Sequence, residues 1–264
     1  MTLSNLLTLV FSGWLIAASI MLILWLSYLY NKEPAVVDIG WSASIGCATW
    51  WMFHHVPAGG LRQWVLIFCV TFWCVRLVTL LVMRMRKGQK DQRYVELSSH
   101  WKSGLNWKYL IFFQAQAISV AVLVTPIALS FLASEPTWTY WDTIGTLLYI
   151  IGMSGELVAD QQMVRFRCDP NNCKKVCNVG LWRYSRHPNY FFESVIWISY
   201  AVIAMNHPLG LIGWVSPTVI IISILKITGI PPTEKRLLVS KGDAYRNYQR
   251  KTSMFIPMPP RSTQ

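Results

Sequence analysis

The feature that most constrains this chain is a succession of long apolar runs separated by short polar segments. A run of about 20 apolar residues lets a helix cross the hydrocarbon core of a bilayer. With 53% hydrophobic and only 14% charged residues, the chain is too apolar for a soluble domain of 264 residues. We therefore expect an all-α, polytopic integral membrane protein. The runs predict seven transmembrane helices: Leu6–Tyr30, Val36–His55, Leu61–Met83, Tyr109–Phe131, Trp141–Val164, Asn189–Met205 and Leu209–Ile230.

The basic residues predict the orientation of these helices. They concentrate in the segments 84–108 and 165–186 and in the C-terminal tail, whereas the alternate connections are almost free of Lys and Arg. Lys and Arg favour the cytoplasmic side, so the N-terminus is expected outside and the C-terminus in the cytoplasm. The net charge of +12 then reflects topology, and nucleic acid is not an expected partner. We expect a bacterial inner-membrane location.

A basic turn precedes the sixth predicted helix. Gly180 allows a tight turn, and Pro188 suits the first turn of a helix. The unpaired N–H groups of a helix start, with Arg183, Arg186 and His187 around them, predict a site for a phosphate-bearing ligand facing the cytoplasm. The two arginines would alternatively only mark the cytoplasmic end of a span.

Acidic and amide side chains follow inside apolar helices, where an ionisable group usually faces a cavity or a partner. Asn189 and Glu193 are four residues apart, so they share one helical face that would hold a polar ring or amide. On the fifth helix the steps from Glu156 to Asp160 and to Arg167 return to one stripe. That stripe predicts either a pocket for hydroxyl and phosphate groups or an internal salt-bridge row.

Four residues of the N-terminal half are further candidates. Asp38, near the cytoplasmic start of the second helix, is either a helix cap or an acid facing a substrate cavity. Arg76 lies inside the third helix, where a buried charge needs a partner such as Asp38, or contacts substrate or cofactor. Arg93 and Tyr94 belong to a loop that is either solvated or covers a cofactor.

The sequence offers neither a metal site nor a soluble nucleotide-binding motif. Cys168, Cys173 and Cys177 lack a Cys-x-x-Cys pair, so no metal is expected and free thiols are the default on the cytoplasmic side. Because glycine-rich phosphate loops are absent as well, any cofactor has to be held by the helices and their connections.

The segment Gly180–Glu193, the stripe on the fifth helix and the tail Thr233–Pro257 together resemble the steroid 5-alpha-reductase C-terminal family. The resemblance covers most of the chain and is most specific over residues 152–257. It implies a seven-span enzyme that uses NADPH to reduce the carbon–carbon double bond of an enone in a sterol-like lipid. A single domain is implied, with residues 1–132 on the substrate side and 133–264 on the cofactor side.

The resemblance also implies roles for individual residues. The cofactor-binding set falls on Glu156, Asp160, Arg167, Lys175, Asn189 and Glu193, with Glu156 standing where the steroid enzymes have Asn. Arg76 and Asp38 fall on positions that act on the substrate, while Trp73 replaces a tyrosine of the carbonyl-polarising pair. Asp38 would polarise the ketone or donate a proton, and Tyr28 or Tyr30 would substitute if Asp38 stays ionised.

A second family shares the Arg-His-Pro segment and the pattern Glu234, Tyr245, Tyr248 and Pro257. Membrane methyltransferases of the isoprenylcysteine type are similar here, and they use S-adenosylmethionine. Their tail carries a Glu pair, whereas this chain has Glu234 followed by Lys235. Reductase is the favoured function, methyltransferase the alternative, and a non-enzymatic lipid-binding role the third. The expected partners are a lipid or steroid-like substrate and membrane lipids, with no protein partner implied.

The topology predicts opposite locations for two reporters. A reporter fused after Arg261 should be cytoplasmic and one inserted at Gly59 external, because the basic segments fall on one side. Activity of topology-sensitive reporter fusions measures this directly. The reverse pattern would also move the expected phosphate site to the wrong side of the membrane.

Overall fold

The computed structural model of the protein describes residues 3–57, 60–86, 91–133, 137–173 and 175–261. Lys87, Lys90, Lys174 and the reporter position Gly59 lie outside them. Within these ranges the regular structure is helical, as predicted, and the backbone pairing of Ser185 with Ser253 is an isolated bridge. The α-helices are α1 (Leu3–Asn31), α2 (Val36–His55), α3 (Leu61–Arg86), α4 (Gln92–Trp101), α5 (Leu105–Phe131), α6 (Tyr140–Cys168), α7 (Pro188–Ala204), α8 (Val215–Ile222), α9 (Ile230–Lys241) and α10 (Asp243–Lys251).

Each apolar run coincides with helical structure. The first six runs correspond to α1, α2, α3, α5, α6 and α7, and the seventh begins in a 3₁₀ turn, Gly210–Trp214, continues through α8 and ends after a π-helical turn, Ser223–Ile227. Among the described residues, four helices are long and apolar enough to cross a membrane: Leu3–Asn31, Leu61–Arg86, Leu105–Phe131 and Gly210–Lys241. These helices fit an integral membrane protein. The count of seven spans and the orientation stay predictions.

The chain forms two compact units. The first contains Met1–Thr143 and Tyr200–Ser216, and the second contains Ile144–Ser199 and Pro217–Gln264. In the first unit α1 packs on α2 and α5, and α2 packs on α3. The core of this unit includes fully buried aromatic side chains such as Trp73.

Polar bonds also join the helices of the first unit. The indole N–H of Trp41 on α2 donates to Ser119 Oγ on α5 over 2.9 Å. Because a hydrogen bond between side chains satisfies both groups away from water, it fixes the rotation of one helix against the other.

In the first unit, a buried ion pair joins the beginning of α3 to the beginning of α6. Arg62 Nε donates to Asp142 Oδ1 over 2.7 Å and Arg62 Nη2 to Oδ2 over 2.9 Å, and the two side chains are 2% and 1% exposed. Asn206 Nδ2 donates to Asp142 Oδ1 over 2.9 Å, and the Thr139 backbone N–H donates to Oδ2 over 2.9 Å. The carboxylate is therefore satisfied on both oxygens, which a buried charge requires.

Removing this carboxylate should destabilise the protein strongly. Asp142→Ala leaves the buried guanidinium of Arg62 without its counter-charge, which should lower the free energy of unfolding by about 3–5 kcal/mol. The measurement is denaturant unfolding in mixed micelles. Asp243→Ala is the matched control because its partner, Arg246, is solvent-exposed, and exposed pairs contribute at most about 1 kcal/mol. Equal losses in both variants would contradict the structural role of the buried pair.

Candidate functional site

Two glycines let α6 and α7 approach each other closely in the second unit. A Cβ at position 152 would lie 2.8 Å from Ile196 Cγ1 and 3.0 Å from the Phe192 carbonyl oxygen. A Cβ at position 155 would lie 2.4 Å from the Phe192 ring. Gly152 and Gly155 therefore set the distance between the two helices, as small residues do where helix backbones meet.

Two of the acids predicted for cofactor binding lie next to this contact. Glu156 directly follows Gly155 on α6, and Glu193 directly follows Phe192 on α7. Glu156 is buried, whereas Asp160 and Asn189 are half-buried. Glu193 accepts a hydrogen bond from the indole of Trp197 over 2.7 Å, and this bond orients its carboxylate along α7.

The connection before α7 folds back onto α6. Gly180 has a positive φ of 54°, as the predicted tight turn requires. The backbone N–H of Leu181 then donates to Gln162 Oε1 over 2.8 Å, and the indole of Trp182 donates to the Ala159 carbonyl over 2.9 Å. Gln162 and Trp182 were not among the sequence candidates, because neither residue type signals which distant segment it will bind.

The side chain of Arg186, just before α7, is hydrogen-bonded inside the protein. It is 9% exposed, its Nε donates to Glu234 Oε1 over 2.7 Å, and its Nη1 donates to the carbonyls of Gln249 and Thr252 over 3.1 and 2.7 Å. Three of its five N–H groups are thereby used inside the protein. In the structure Arg186 fastens the C-terminal helices, and its predicted contact with a phosphate stays a prediction.

Glu234 is the centre of this cluster. Its Oε1 also accepts from Tyr245 OH over 3.2 Å and lies 3.2 Å from His187 Nε2, while its Oε2 accepts from Gln249 Nε2 over 2.9 Å. Because its partners in this cluster are donors, the ionised carboxylate fits. His187, expected near a phosphate, is buried and turned toward Glu234. We name Arg186, His187, Glu234, Tyr245 and Gln249 the Glu234 cluster.

Tyr248 extends the attachment to the turn. Its hydroxyl donates to the Trp182 carbonyl and lies 3.3 Å from the Ser185 carbonyl. Burial raises the pKa of both Tyr245 and Tyr248 well above the ordinary value, so both hydroxyls keep their protons and remain donors at neutral pH. Spacing alone pointed to these tyrosines, through the pattern that begins at Glu234, without indicating what they bind.

The remaining basic candidates are accessible. Arg167, Lys175 and Arg183 are exposed, and they lie at the end of α6 and in the connection to α7. They retain the capacity to bind phosphate groups of a ligand. The cysteines of this connection are free thiols, and the described residues contain no group of three or more His, Cys, Asp or Glu side chains placed to hold a metal ion.

Asp38, in the first unit, binds the two loop residues that were expected to cover a cofactor. Its Oδ1 accepts from Tyr94 OH over 2.7 Å, and its Oδ2 accepts from Arg93 Nη2 over 2.6 Å. Arg93 also binds Asp91, with Nη2 2.7 Å from Oδ2. The helix-cap interpretation of Asp38 is wrong, because α2 begins after Ala35 without a side-chain cap.

Tyr94 is held in its protonated form. Burial raises its pKa well above the ordinary value, and the negative charge of Asp38 raises it further. Tyr94 lies on α4, which the sequence analysis treated as part of a loop, and its carbonyl accepts from Tyr109 OH over 3.4 Å. The tyrosine beside Asp38 is therefore Tyr94. Tyr28 instead contacts Tyr109, with ring centroids 4.7 Å apart, and Tyr30 is 90% exposed.

Arg76 lies half-buried on α3, three residues after the fully buried Trp73. This spacing places the two side chains on neighbouring positions of one helical face. The arginine predicted at this depth is thus retained as a candidate. Asp38 was expected as a partner of Arg76. In the structure the carboxylate of Asp38 forms an ion pair with Arg93.

Comparison with known proteins identifies the family. The sequence profile of DUF1295, described as a protein of unknown function, matches residues 24–252. The chain belongs to this family. It is also similar to an uncharacterized protein of Schizosaccharomyces pombe, with 25% identity over 269 aligned residues that cover 89% of this chain and 76% of the relative. No solved structure matches the chain significantly.

A side chain at position 155 should separate α6 from α7. Gly155→Ala places a methyl group against the Phe192 ring, and overpacking of this kind costs about 1–3 kcal/mol of unfolding free energy. Phe192→Leu in the same chain should restore part of the loss by making room. Ser154→Ala, at an exposed neighbouring position, is the control. Additive losses in the double mutant would argue against direct contact of these residues.

Proposed function

We propose that the protein is an NADPH-dependent reductase of the carbon–carbon double bond in a lipid enone, such as a 3-oxo-4-ene steroid. The observation that carries the proposal is the close approach of α6 and α7, which packs the helix that carries Glu156 and Asp160 against the helix that carries Asn189 and Glu193. An apolar helix pair with acidic and amide groups suits a dinucleotide, whose hydroxyl and amide groups need hydrogen-bond partners. The resemblance to steroid 5-alpha-reductases rests on the same residues.

Each part of the cofactor has matching residues in the second unit. Arg167, Lys175 and Arg183 are exposed cations that would bind the phosphates. Asp160 and Glu156 would accept hydrogen bonds from ribose hydroxyls. Bound NADPH would supply a hydride for the β carbon of the enone.

Asn189 and Glu193 would orient the nicotinamide amide. Trp197 already fixes one oxygen of Glu193, so the carboxylate needs little reordering to accept a ligand N–H group. Such preorganisation lowers the entropy cost of placing a ring correctly for hydride transfer.

The first unit offers donors for the enone oxygen. Tyr94 is protonated and Asp38 accepts its hydrogen bond, while Arg93 uses Nε and Nη2 to bind Asp38 and Asp91. This leaves Nη1 of Arg93 as a donor to a ketone oxygen, and Tyr94 can donate when the ketone displaces Asp38. Tyr94 would then be the proton donor, and Asp38 would keep its bond to Arg93. We propose Arg76 as an additional substrate contact.

S-adenosylmethionine-dependent methyl transfer is the second candidate. It is supported by the Arg-His-Pro segment and by the tail pattern, since Glu234 and Tyr248 bind the segment that precedes α7 and Tyr245 binds Glu234. In the structure these residues bind one another and the backbone. Their arrangement would stabilise the start of α7 under either activity.

The decisive experiment is a set of NADPH titrations on purified protein with single substitutions. Arg167→Ala and Arg183→Ala should each weaken binding by about 1.5–3 kcal/mol, the range for a lost charge-assisted bond to phosphate. Arg246→Ala, at an exposed residue of α10 paired with Asp243, is the control and should bind normally. Arg186→Ala is unsuitable because it would leave Glu234 without its counter-charge.

Hydride transfer is measured in the same proteins by NADPH oxidation with a 3-oxo-4-ene steroid. Glu193→Gln and Tyr94→Phe should slow oxidation while leaving NADPH affinity nearly unchanged, because the phosphates would still be bound. Asp38→Asn should be slow because Arg93 loses one of the two carboxylates that hold it in place. Methyl transfer from labelled S-adenosylmethionine, with no NADPH binding, would reject the reductase and support the second candidate.

A further inference from the structure

The chain after α10 forms an extended segment, residues 252–261, that we call the C-terminal strap. Hydrogen bonds fasten it to the segment before α7, three of them through residues 253–258. Arg186 N–H donates to the Ser253 carbonyl over 2.8 Å, Ser185 Oγ donates to the Phe255 carbonyl over 2.7 Å, and Met258 N–H donates to the Tyr184 carbonyl over 3.0 Å. The position of the strap in the second unit is therefore fixed.

Side chains along the strap alternate between two sides. Phe255 points inward and contacts Phe191, with ring centroids 5.7 Å apart. Met254, Ile256 and Met258 point outward and are 41%, 52% and 52% exposed. A fixed backbone thus presents three large apolar side chains in one row, whereas exposed apolar residues of a water-facing surface are usually scattered singly.

Basic side chains surround this row. Arg250 and Lys251 precede the strap, Arg261 ends it, and Arg183 lies beside the segment to which it is fastened; all four are exposed. Residues 250–261 include no acidic side chain. Large apolar side chains bordered by cations are typical of surfaces that lie in the interface of a membrane with anionic lipids.

The chain order gives the level of the strap. It pairs with residues 184–186, and α7 begins immediately afterwards at Pro188. In the topology proposed above, α7 crosses the bilayer starting from the cytoplasmic side. A strap fastened two residues before that start lies at the level of the lipid headgroups.

We propose that the C-terminal strap is a lipid-contact surface. Met254, Ile256 and Met258 insert between headgroups of the cytoplasmic leaflet, and Arg250, Lys251 and Arg261 bind the phosphates of anionic lipids. The inference depends on the proposed topology and is independent of the reductase activity, since none of the strap residues is assigned to cofactor or substrate.

Methionine oxidation tests the proposal on the unaltered protein. The full chain is placed in nanodiscs of phosphatidylcholine, or of phosphatidylcholine with phosphatidylglycerol, and treated with hydrogen peroxide; sulfoxide at Met254 and Met258 is followed by mass spectrometry. A synthetic peptide of residues 252–261 gives the rate in water. We expect oxidation at least about fivefold slower than in the peptide when the discs contain phosphatidylglycerol, and clearly faster in pure phosphatidylcholine.

A charge variant identifies the cause of the protection. Replacing Arg250, Lys251 and Arg261 together by Gln should remove the difference between the two disc compositions. Replacing Lys235 and Arg246, which are exposed basic residues outside the strap, should leave the difference intact. Because NADPH is absent throughout, the result does not depend on the proposed activity.

Two results would overturn the proposal. Oxidation as fast as in the peptide in both kinds of disc would place the methionines in water. Protection that appears in lipid-depleted detergent solution and rises with protein concentration would assign the row to contact between two copies of the chain.

Discussion

The second unit depends on one half-buried carboxylate. Glu234 joins Arg186 and His187, at the entrance of α7, to Tyr245 and Gln249 on α10. These bonds connect segments about 50 residues apart in sequence, as the positions of Arg186 and Glu234 show. A charge in such surroundings is stable only with complete partners, so the cluster specifies a single arrangement of α7 against the C-terminal helices.

Two sets of contacts hold the residues of the candidate site in place. Glycine contacts determine how near α6 and α7 lie, and the Glu234 cluster determines where α7 begins. Residues that would touch a ligand, such as Asp160, Asn189 and Arg183, are half-buried or exposed. A rigid frame with accessible polar groups is what a preorganised binding site requires.

The sequence predicted the helices well because hydrophobic composition alone decides which segments leave water. It also predicted the turn at Gly180, since a positive φ favours this residue. It could not predict the role of Arg186, because an exposed phosphate ligand and a buried structural cation have the same local sequence. The difference lies in Glu234, and the chain gives no sign that these two residues meet.

The same limit applies to Asp38. Its position near a helix start was compatible with capping or catalysis, and its contact with Tyr94 depends on α4, a helix of 10 residues within a polar connection. A short amphipathic helix is difficult to distinguish from a solvated loop by its hydrophobic pattern. The sequence consequently suggested Tyr28 or Tyr30, which lie closer to Asp38 in the chain, as the tyrosine that would substitute for it.

The Glu234 cluster cannot form until all of its segments have been synthesised, and this affects the biogenesis of the protein. Arg186 is synthesised before Glu234 and before Thr252, both of which accept its hydrogen bonds. Translation adds about 5–20 residues per second, so Arg186 is synthesised several seconds before its counter-ion Glu234. In the predicted topology, α7 would enter the membrane during that interval with an unneutralised cation at its start, and such a charge would hold this end of the helix on the cytoplasmic side.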